Sequence, residues 1–137
     1  ALAQAQLQNQ TLTLALLDID KFKSINDNFG HLVGDQVLQT LAQLLKTHAK
    51  DQVYIARWGG EEFILVINEL EQNAAADYLE HLRSMIEKEA FPEVENVTAS
   101  IGYTVNKVGD EVQDMLSRAD DALYQAKAQG RNQVIKG

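Results

Sequence analysis

Two glycines between two runs of β-forming residues are the feature that most constrains the fold of this chain. Gly59 and Gly60 divide the aromatic and β-branched side chains of residues 53–67 into two halves. Glycine adopts positive φ without a Cβ clash, so the pair predicts a β-hairpin closed by a tight two-residue turn. That turn would present two adjacent carboxylates, Glu61 and Glu62, at the tip of the hairpin.

A second acidic pair, Asp18 and Asp20, follows the almost continuously apolar residues 12–17. Such a run predicts a central strand that is covered on both faces. A carboxylate directly after it is costly to desolvate unless it is paired or bound to metal. Calcium binding of the EF-hand type is excluded, because Lys23 stands where the glycine is required and Phe29 where the final glutamate is required. The spacing alone leaves two interpretations: the carboxylates solvate the strand–helix turn, or they hold a cation.

The hydrophobic periodicity of the rest of the chain predicts four helices and two further strands. They are a short helix over 21–28 ended by Gly30, a helix opened by Asp35, a helix over 75–86, a strand over 97–105 with Gly102 as a candidate bulge, a helix over 112–126 capped by Gly130, and a closing strand over 133–135. The order β-α-α-β-β-α-β-α-β predicts an α/β fold of the α+β type, with a mainly antiparallel central sheet flanked by helices.

The composition limits the classes of function. A length of 137 residues suits one domain, and no apolar run reaches the roughly 20 residues that cross a bilayer. No signal-peptide pattern is present, so we expect a cytoplasmic domain without membrane contact. The formal net charge of −8 disfavours nucleic acid as a partner. Because the chain has no cysteine, oxygen atoms are the expected metal ligands, and a triphosphate substrate would need divalent cations to approach so acidic a chain.

Three motifs together resemble the GGDEF family, the diguanylate cyclases, in its GGEEF variant. They are DIDKFKSINDNFGHLVGD at 18–35, RWGGEEF at 57–63 and ADDALYQAKAQGRN at 119–132. The resemblance implies a palm-like, ferredoxin-related nucleotidyl cyclase fold, with residues 1–137 as a single GGDEF domain. The opening segment usual in the family is absent, so the chain would begin inside the first helix. We therefore expect an N-terminally trimmed domain whose upstream sensory or dimerisation segment lies outside this sequence.

The resemblance implies a diguanylate cyclase, which condenses two GTP molecules into cyclic di-GMP and two pyrophosphates. It implies two Mg²⁺ or Mn²⁺ ions per active site and a homodimer in which each subunit presents one GTP. The metal ligands would be Asp18, the backbone carbonyl of Ile19, Glu61 and Glu62, with the two glutamates as catalytic residues. Glu61 is the candidate to help deprotonate the attacking ribose 3′-hydroxyl, although the sequence leaves open which glutamate acts as the base.

The resemblance also implies a set of residues that bind GTP. They are Phe22, Lys23, Asn26, His31, Asp35, Gly59, Gly60, Lys127 and Arg131. Asn26 and Asp35 would recognise guanine, whose N1–H and N2–H donors suit a carboxylate and whose O6 suits an amide NH₂. Lys127 and Arg131 would meet the triphosphate, together with backbone N–H groups near Lys21. Glycine at positions 59 and 60 would let a phosphate or ribose approach the backbone closely.

Several of these residues also suit a purely structural role. Asp35 is a good helix N-cap, and Asn26 could face solvent near a helix end. His31 could be a turn residue packed on a neighbouring aromatic ring. Lys127 and Arg131 could complement the dipole at a helix C-terminus. A P-loop nucleotide site is excluded, because the chain has no Gly-x-x-x-x-Gly-Lys segment.

Two alternatives to catalysis stand beside the cyclase hypothesis: a degenerate GGDEF domain that binds GTP as a regulatory module, and a plain interaction domain. Cyclase chemistry on ATP is a narrower rival. Many family members carry an inhibitory product site of the form Arg-x-x-Asp upstream of the two glycines. In this chain Lys50 and Val53 take those positions, and neither replaces the lost guanidinium fork or carboxylate. The sequence therefore predicts that the inhibitory product site is absent.

Overall fold

A computed structural model describes residues 11–68 and 72–137 of the chain. The elements are β1 (Leu12–Ile19), α1 (Phe22–Phe29), α2 (His31–Thr47), β2 (Val53–Arg57), β3 (Glu62–Asn68), α3 (Gln72–Lys88), β4 (Ala99–Val105), α4 (Val112–Ala128) and β5 (Val134–Lys136). Their order is the predicted one, and the α+β class is confirmed. The first helix that the family resemblance places at the start of the chain lies outside the described residues. None of the described helices combines the length and the apolar character that a bilayer crossing requires.

The five strands form one sheet in the order β2-β3-β1-β4-β5. Every neighbouring pair is antiparallel except β4 and β5, which run parallel. The prediction of a mainly antiparallel central sheet is therefore confirmed. β1 lies in the middle, so the acidic residues at its end are flanked by β3 on one side and by β4 on the other.

Side chains of β1 alternate between two hydrophobic cores, one on each face of the sheet. Leu17 and Ile19 pack with α1, α2 and α3, whereas Leu14 and Leu16 pack with the apolar side of α4. Because successive strand residues point to opposite faces, a strand buried on both faces must be apolar throughout. The predicted double cover of the central strand is confirmed.

The start of α2 differs from the sequence prediction. The helix begins at His31 with Gly30 at the N-cap position, so Asp35 neither opens nor caps it. Gly30 has φ 90°, which lets α1 pass directly into α2. Gly34 lies inside the helix because the Asn26 side chain occupies the space above it: a Cβ there would stand 1.9 Å from Asn26 Oδ1. Gly34, which directly precedes the predicted opening residue Asp35, therefore lies inside the helix as a packing contact.

The hairpin between β2 and β3 also differs from the prediction. Its loop has four residues, 58–61, instead of two, and neither Gly59 nor Gly60 has positive φ. The carbonyl of Glu62 accepts hydrogen bonds from the N–H groups of Trp58, at 2.8 Å, and Gly59, at 3.4 Å. These bonds close a wider loop, in which the Gly60 carbonyl also accepts a bond from Arg57 Nη2 at 2.6 Å.

Gly102 is not at a bulge, because it pairs in regular register with Leu16 on one side and Ile135 on the other. The absence of a side chain at Gly102 lets α4 pack closely against β4. A Cβ at this position would stand 2.1 Å from the backbone nitrogen of Leu123 and 2.4 Å from the carbonyl oxygen of Ala119. The strand also begins at Ala99, two residues later than predicted. This close approach brings the C-terminal end of α4 towards the acidic end of β1.

Candidate active site

The strand register brings the two acidic segments together at one end of the sheet. Asp18 lies directly opposite Glu62 in the antiparallel pairing of β1 with β3. The N–H of Ile19 donates to the carbonyl oxygen of Glu61 at 3.5 Å, which places the loop residue beside the same strand end. Directly opposed residues have Cβ atoms about 5 Å apart. Three carboxylates and the backbone of Ile19 therefore share a small region.

Asp18 is the most buried of these carboxylates, with 3% of its surface exposed. Its Oδ2 accepts a hydrogen bond from the ammonium of Lys127, which comes from the last turn of α4. Its Oδ1 is buried and has no hydrogen-bond partner among the described residues. A buried carboxylate is normally satisfied on both oxygens. Asp18 thus keeps one oxygen free for a further ligand.

Burial and mutual repulsion disfavour the charged forms of all three carboxyl groups. Burial raises the pKa of Asp18, and the hydrogen bond and charge of Lys127 oppose that shift without cancelling it. Burial likewise raises the pKa of Glu61 and of Glu62, and in each case the charge of Asp18 raises it further. Asp120, on α4, adds to the effect on Glu62. A bound cation would relieve this repulsion.

The donor set fits a hard divalent cation. Carboxylate and backbone carbonyl oxygens are the ligands that Mg²⁺ prefers. Within residues 11–68 and 72–137, no three acidic or histidine side chains are already arranged around a common point. The Lys127 ammonium now supplies the positive charge beside Asp18. Cation binding would therefore need this lysine to move away from Oδ2.

Asp20 differs from Asp18, because its carboxylate is fully engaged within the protein. It accepts hydrogen bonds from Thr98 Oγ1 at 2.7 Å, Ser100 Oγ at 2.6 Å and the Asn132 N–H at 3.0 Å. A carboxylate with three donors has little capacity left for a metal. The two interpretations that the sequence left open therefore divide between the two residues: Asp20 stabilises local structure, whereas Asp18 suits a cation.

The residues expected to meet guanine lie where α1 passes into α2. Asn26 is half-buried against Gly34, and its Oδ1 is buried without a partner among the described residues. His31 and Asp35 are exposed in the first two turns of α2, and Phe22 is buried. Asp35 directly follows Gly34, so the amide and the carboxylate belong to adjacent positions of one corner. Freed from an N-cap role, Asp35 is available to a ligand.

Two of the positions expected to meet phosphates, Lys21 and Arg131, lie on tight turns with left-handed backbone, whereas Lys23 and Lys127 lie in helices. Lys21, at the N-cap position of α1, has φ 56°, and Arg131 has φ 65°. Lys23 and Arg131 are exposed, whereas the Lys127 ammonium is engaged with Asp18. The Arg131 turn follows a predicted αL cap that the structure confirms: Gly130 has φ 118°, and the Arg131 N–H donates to the Ala126 carbonyl at 2.9 Å.

The hydrogen-bond partners of Asp20 were not predicted from the sequence. Thr98 and Ser100 are two residues apart before and within β4, so they point to the same face, which is a signal that the sequence carries. Asn132 was included in the last motif but given no role. Arg83, on α3, donates from Nη1 to Asn132 Oδ1 at 2.7 Å and went unnoticed. No local pattern links a residue of α3 to a turn 49 positions later.

The two positions that correspond to the family's product site, Lys50 and Val53, both contact neighbouring parts of the protein. Val53 is buried in the core and bonds through its N–H to the Lys50 carbonyl at 3.0 Å. The Lys50 ammonium lies over the ring of Tyr78, 5.3 Å from its centroid. The valine side chain is therefore buried, and it presents no acceptor in the place where the family has a carboxylate.

The acidic end of β1 and the Gly-Gly loop lie side by side at one end of a mainly antiparallel sheet. Comparison with known proteins identifies the family to which this arrangement belongs. A family model described as "Diguanylate cyclase, GGDEF domain" matches residues 1–133. The chain belongs to the GGDEF domain family of diguanylate cyclases.

Individual relatives support the assignment. Diguanylate cyclase VdcA of Vibrio cholerae serotype O1 is 39% identical over 132 residues, a match that covers 92% of this chain and 39% of that protein. The GGDEF domain of DgcB from Caulobacter crescentus, solved in complex with c-di-GMP, has a TM-score of 0.92 and 34% identity over 98% of this chain and 82% of its own. The active GGEEF domain of a diguanylate cyclase from Vibrio cholerae has a TM-score of 0.91 and 37% identity, over 98% of this chain and 87% of its own.

Proposed function

We propose that this domain condenses two GTP molecules into cyclic di-GMP and two pyrophosphates. The observation that carries the proposal is Asp18, a buried carboxylate with one unpartnered oxygen, directly across the strand pair from Glu62. The raised pKa values of Asp18, Glu61 and Glu62 support a site that gains from a cation. Family membership supports the substrate.

Mg²⁺ or Mn²⁺ is the cofactor that we propose, with two ions per active site. Asp18, the Ile19 carbonyl, Glu61 and Glu62 would hold them. When bound, such ions stabilise the entering and leaving oxygens of an in-line phosphoryl displacement. Lys127 would exchange its contact with Asp18 for one with the triphosphate, which keeps a positive charge in the site before and after the cation enters.

Glu61 is the residue that we propose accepts the proton from the ribose 3′-hydroxyl. The 3′-oxygen forms a bond to the α-phosphorus of the second GTP, and the bond from that phosphorus to pyrophosphate breaks. Glu61 stands in the loop beside the end of β1, because its carbonyl oxygen accepts a hydrogen bond from the Ile19 N–H. Glu62 is held in β3 opposite Asp18 and suits a ligand role. The same step repeated with the roles of the two nucleotides exchanged closes the ring.

Recognition of GTP would divide between two surfaces. Asn26 and Asp35 would bind the guanine edge, with His31 beside the nucleotide. On the second surface, Lys23, Arg131 and the backbone near Phe22 would contact phosphates, and Gly59 and Gly60 would leave the backbone open to the ribose. A Cβ built at Gly59 or Gly60 would have no atom of the described residues within 3.4 Å, apart from those of the adjacent residues. This open space beside both glycines supports the proposal.

Catalysis would require two copies of the chain, because each domain would supply one GTP to a two-fold arrangement. We propose that an upstream sensory or dimerisation segment brings the copies together, since the chain spans 39% of the length of its Vibrio relative. We further propose that residues 1–137 act as a single GGDEF domain in the cytoplasm, without nucleic-acid or membrane contact.

A GTP-binding module without turnover is the second candidate function. The ion pair of Lys127 with Asp18 favours it, because the ammonium stands where the cation charge is needed. The two functions differ in whether Mg²⁺ displaces the lysine.

One incubation separates these candidates. Concentrated protein is mixed with GTP and Mg²⁺, and the nucleotides are resolved by chromatography, with EDTA and ATP as controls. Cyclic di-GMP that forms only with GTP and metal supports the cyclase. GTP that is retained unchanged supports the binding module, and Asp18→Asn should abolish product while leaving GTP binding measurable. Product from ATP would overturn the guanine assignment.

A further inference from the structure

We propose that Arg83 is a positioning residue for the turn formed by residues 130–132. Through Asn132, Arg83 would fix the direction in which Arg131 projects and thereby set the affinity for the triphosphate. This inference rests on the proposed function, which gives Arg131 its phosphate. It extends that function to α3, an element from which no site residue had been expected.

The 130–132 turn has a backbone that needs external support. Arg131 has φ 65° and Asn132 has φ 49°, so two successive residues with a Cβ are left-handed. This conformation is unfavourable for such residues and persists only where surrounding contacts hold it. Gly130 before them, with φ 118°, adds no side chain that could restrain the turn.

Asn132 supplies the support on two sides. Towards the sheet, its N–H donates to Asp20 Oδ2 at 3.0 Å. Towards α3, its Oδ1 accepts from Arg83 Nη1 at 2.7 Å, and its Nδ2 donates to Glu87 Oε2 at 2.8 Å. The three bonds use the backbone donor and both ends of the amide, so Asn132 has one orientation that satisfies them all.

Arg83 is itself held in place. Its side chain is only 16% exposed, and it pairs with Glu80 and Glu87 on the same helix. The guanidinium therefore reaches Asn132 from a preset position, without the loss of side-chain freedom that a solvated arginine would suffer. Asp20 connects the turn to the other half of the site, because it stands one residue after Ile19 and two after Asp18. The same small turn is thus fixed to α3 and to the strand that carries the candidate cation ligand.

A positioning role predicts a particular kinetic signature. Arg83→Met keeps the aliphatic stem and removes the bond to Asn132. We expect the KM for GTP to rise by about tenfold with kcat nearly unchanged, because a misplaced binding group weakens ground-state and transition-state binding alike. Arg131→Ala should raise KM as well. If Arg83 acts through Arg131, the double variant should be no worse than Arg131→Ala alone.

Controls separate positioning from a general loss of stability. Arg118→Met removes another partly buried arginine, which bonds Asp110 and Thr104 towards the opposite end of β4, and should lower the melting temperature without changing KM. Glu80→Gln removes a charge beside Arg83 but keeps an oxygen that can accept from Arg83 Nε, so Arg83 stays in place and KM should be unchanged. Asn132→Gly retains the left-handed backbone and loses both side-chain bonds. It should reproduce the Arg83→Met effect and serves if that variant fails to fold.

Each outcome decides the proposal. An unchanged KM in folded Arg83→Met, or a full additional rise in the Arg131→Ala background, overturns the positioning role while the cyclase function stands. If the wild type forms no cyclic di-GMP, the cyclase function fails, and the Kd for GTP measured by calorimetry replaces KM in the same comparison. Absence of GTP binding by the wild type overturns both proposals.

Discussion

Lys127 and Asp18, 109 positions apart in the sequence, are joined by an ion pair in which the lysine ammonium donates to Oδ2 of the carboxylate. The pair connects the last turn of α4 to the end of β1, and it leaves Oδ1 of the aspartate without a partner among the described residues. A cation that bound Asp18 would compete with Lys127 for the same charge. We therefore expect metal binding to break this ion pair and to release the Lys127 ammonium from Asp18.

We predict that Lys127→Met lowers the stability of the metal-free protein at neutral pH by about 1–3 kcal/mol, the cost of leaving a buried acceptor unsatisfied. Removing the lysine also removes the interactions that lower the pKa of Asp18, so this pKa should rise further. Mg²⁺ should raise the melting temperature of the variant more than that of the wild type. Thermal unfolding with Mg²⁺ and with EDTA measures both effects.

Lys136→Met is the matched control for Lys127→Met, because Lys136 is an exposed lysine in β5. It should change neither the stability nor the response to Mg²⁺. Equal Mg²⁺ stabilisation of wild type and Lys127→Met would contradict the view that lysine and cation compete at Asp18.

We predict that the metal-free protein loses stability as the pH rises through the titration of the active-site carboxyl groups. The pKa values of Asp18, Glu61 and Glu62 are raised above their ordinary 3.8 and 4.5. The folded state therefore binds more protons than the unfolded state between the ordinary and the raised values, so the free energy of unfolding falls with pH in that interval. Mg²⁺ binds the charged forms and should offset the fall.

Melting temperatures measured from pH 4 upward in EDTA and in Mg²⁺ test this pH dependence. The two curves should separate as pH rises, and Mg²⁺ binding should release protons, which calorimetry in buffers of different ionisation enthalpy detects. In Asp18→Asn the separation should shrink. Parallel curves for the wild type would show that the three carboxyl groups hold no cation.

Asp110 has the opposite pH dependence. Its bidentate bonds to Arg118 hold the pKa of Asp110 at about 2, below the ordinary 3.8. The stability that it contributes is therefore fully present above pH 3.8 and is lost as the pH falls through about 2. Asp110→Asn should be less stable than the wild type at pH 6, and the difference should narrow in strong acid. A constant difference across this range would show that the ion pair is not its source.

Gly34→Ala tests whether Asn26 recognises guanine. Alanine in a helix interior gains about 1 kcal/mol over glycine. Its Cβ would, however, meet Asn26 Oδ1 at 1.9 Å and Phe22 Cζ at 3.3 Å, so the amide must move. We expect weaker GTP binding and a smaller preference for GTP over ATP, as titration of both nucleotides would show.

Two variants complete the Gly34→Ala test. Gln39→Ala is the control for a substitution on the same helix, because Gln39 is an exposed residue of α2 with no proposed contact to the nucleotide. Asp35→Ala should reduce the same preference without a helix-cap penalty, since the helix begins at His31. An unchanged preference in both Gly34→Ala and Asp35→Ala would place guanine recognition elsewhere.

The sequence predicted the fold well where burial alone decides. The uniform apolar run of β1 and the i, i+3, i+4 stripes of α2 and α4 can be buried in few ways, and those elements appear where expected apart from the start of α2. It failed where a side chain from another element decides. Asp35 was predicted to open α2, because the Asn26 contact that accounts for Gly34 inside the helix is tertiary. The Gly59–Gly60 loop is a separate case: its closing bonds are accepted by the backbone carbonyl of Glu62, which residue propensities do not predict.

The candidate site shows the same division. The acidic residues were identified from motifs, and strand register explains why Asp18 and Glu62 meet. The partners of Asp20 and the ion pair of Lys127 were missed because they join residues about a hundred positions apart, as the bond of Asn132 to Asp20 illustrates with a separation of 112. Propensity and periodicity describe neighbours within one element and carry no information on such pairs.

The last prediction concerns inhibition by the product. Val53 is buried, and the Lys50 ammonium lies over Tyr78, so neither position offers the guanidinium fork and carboxylate that would bind cyclic di-GMP. We expect initial rates at several GTP concentrations to show little or no noncompetitive inhibition, while competition at the active site remains. Lys46→Ala, in the last turn of α2, is the control for Lys50→Ala. Strong noncompetitive inhibition that is abolished by Lys50→Ala but kept in Lys46→Ala would show that this surface still binds the product.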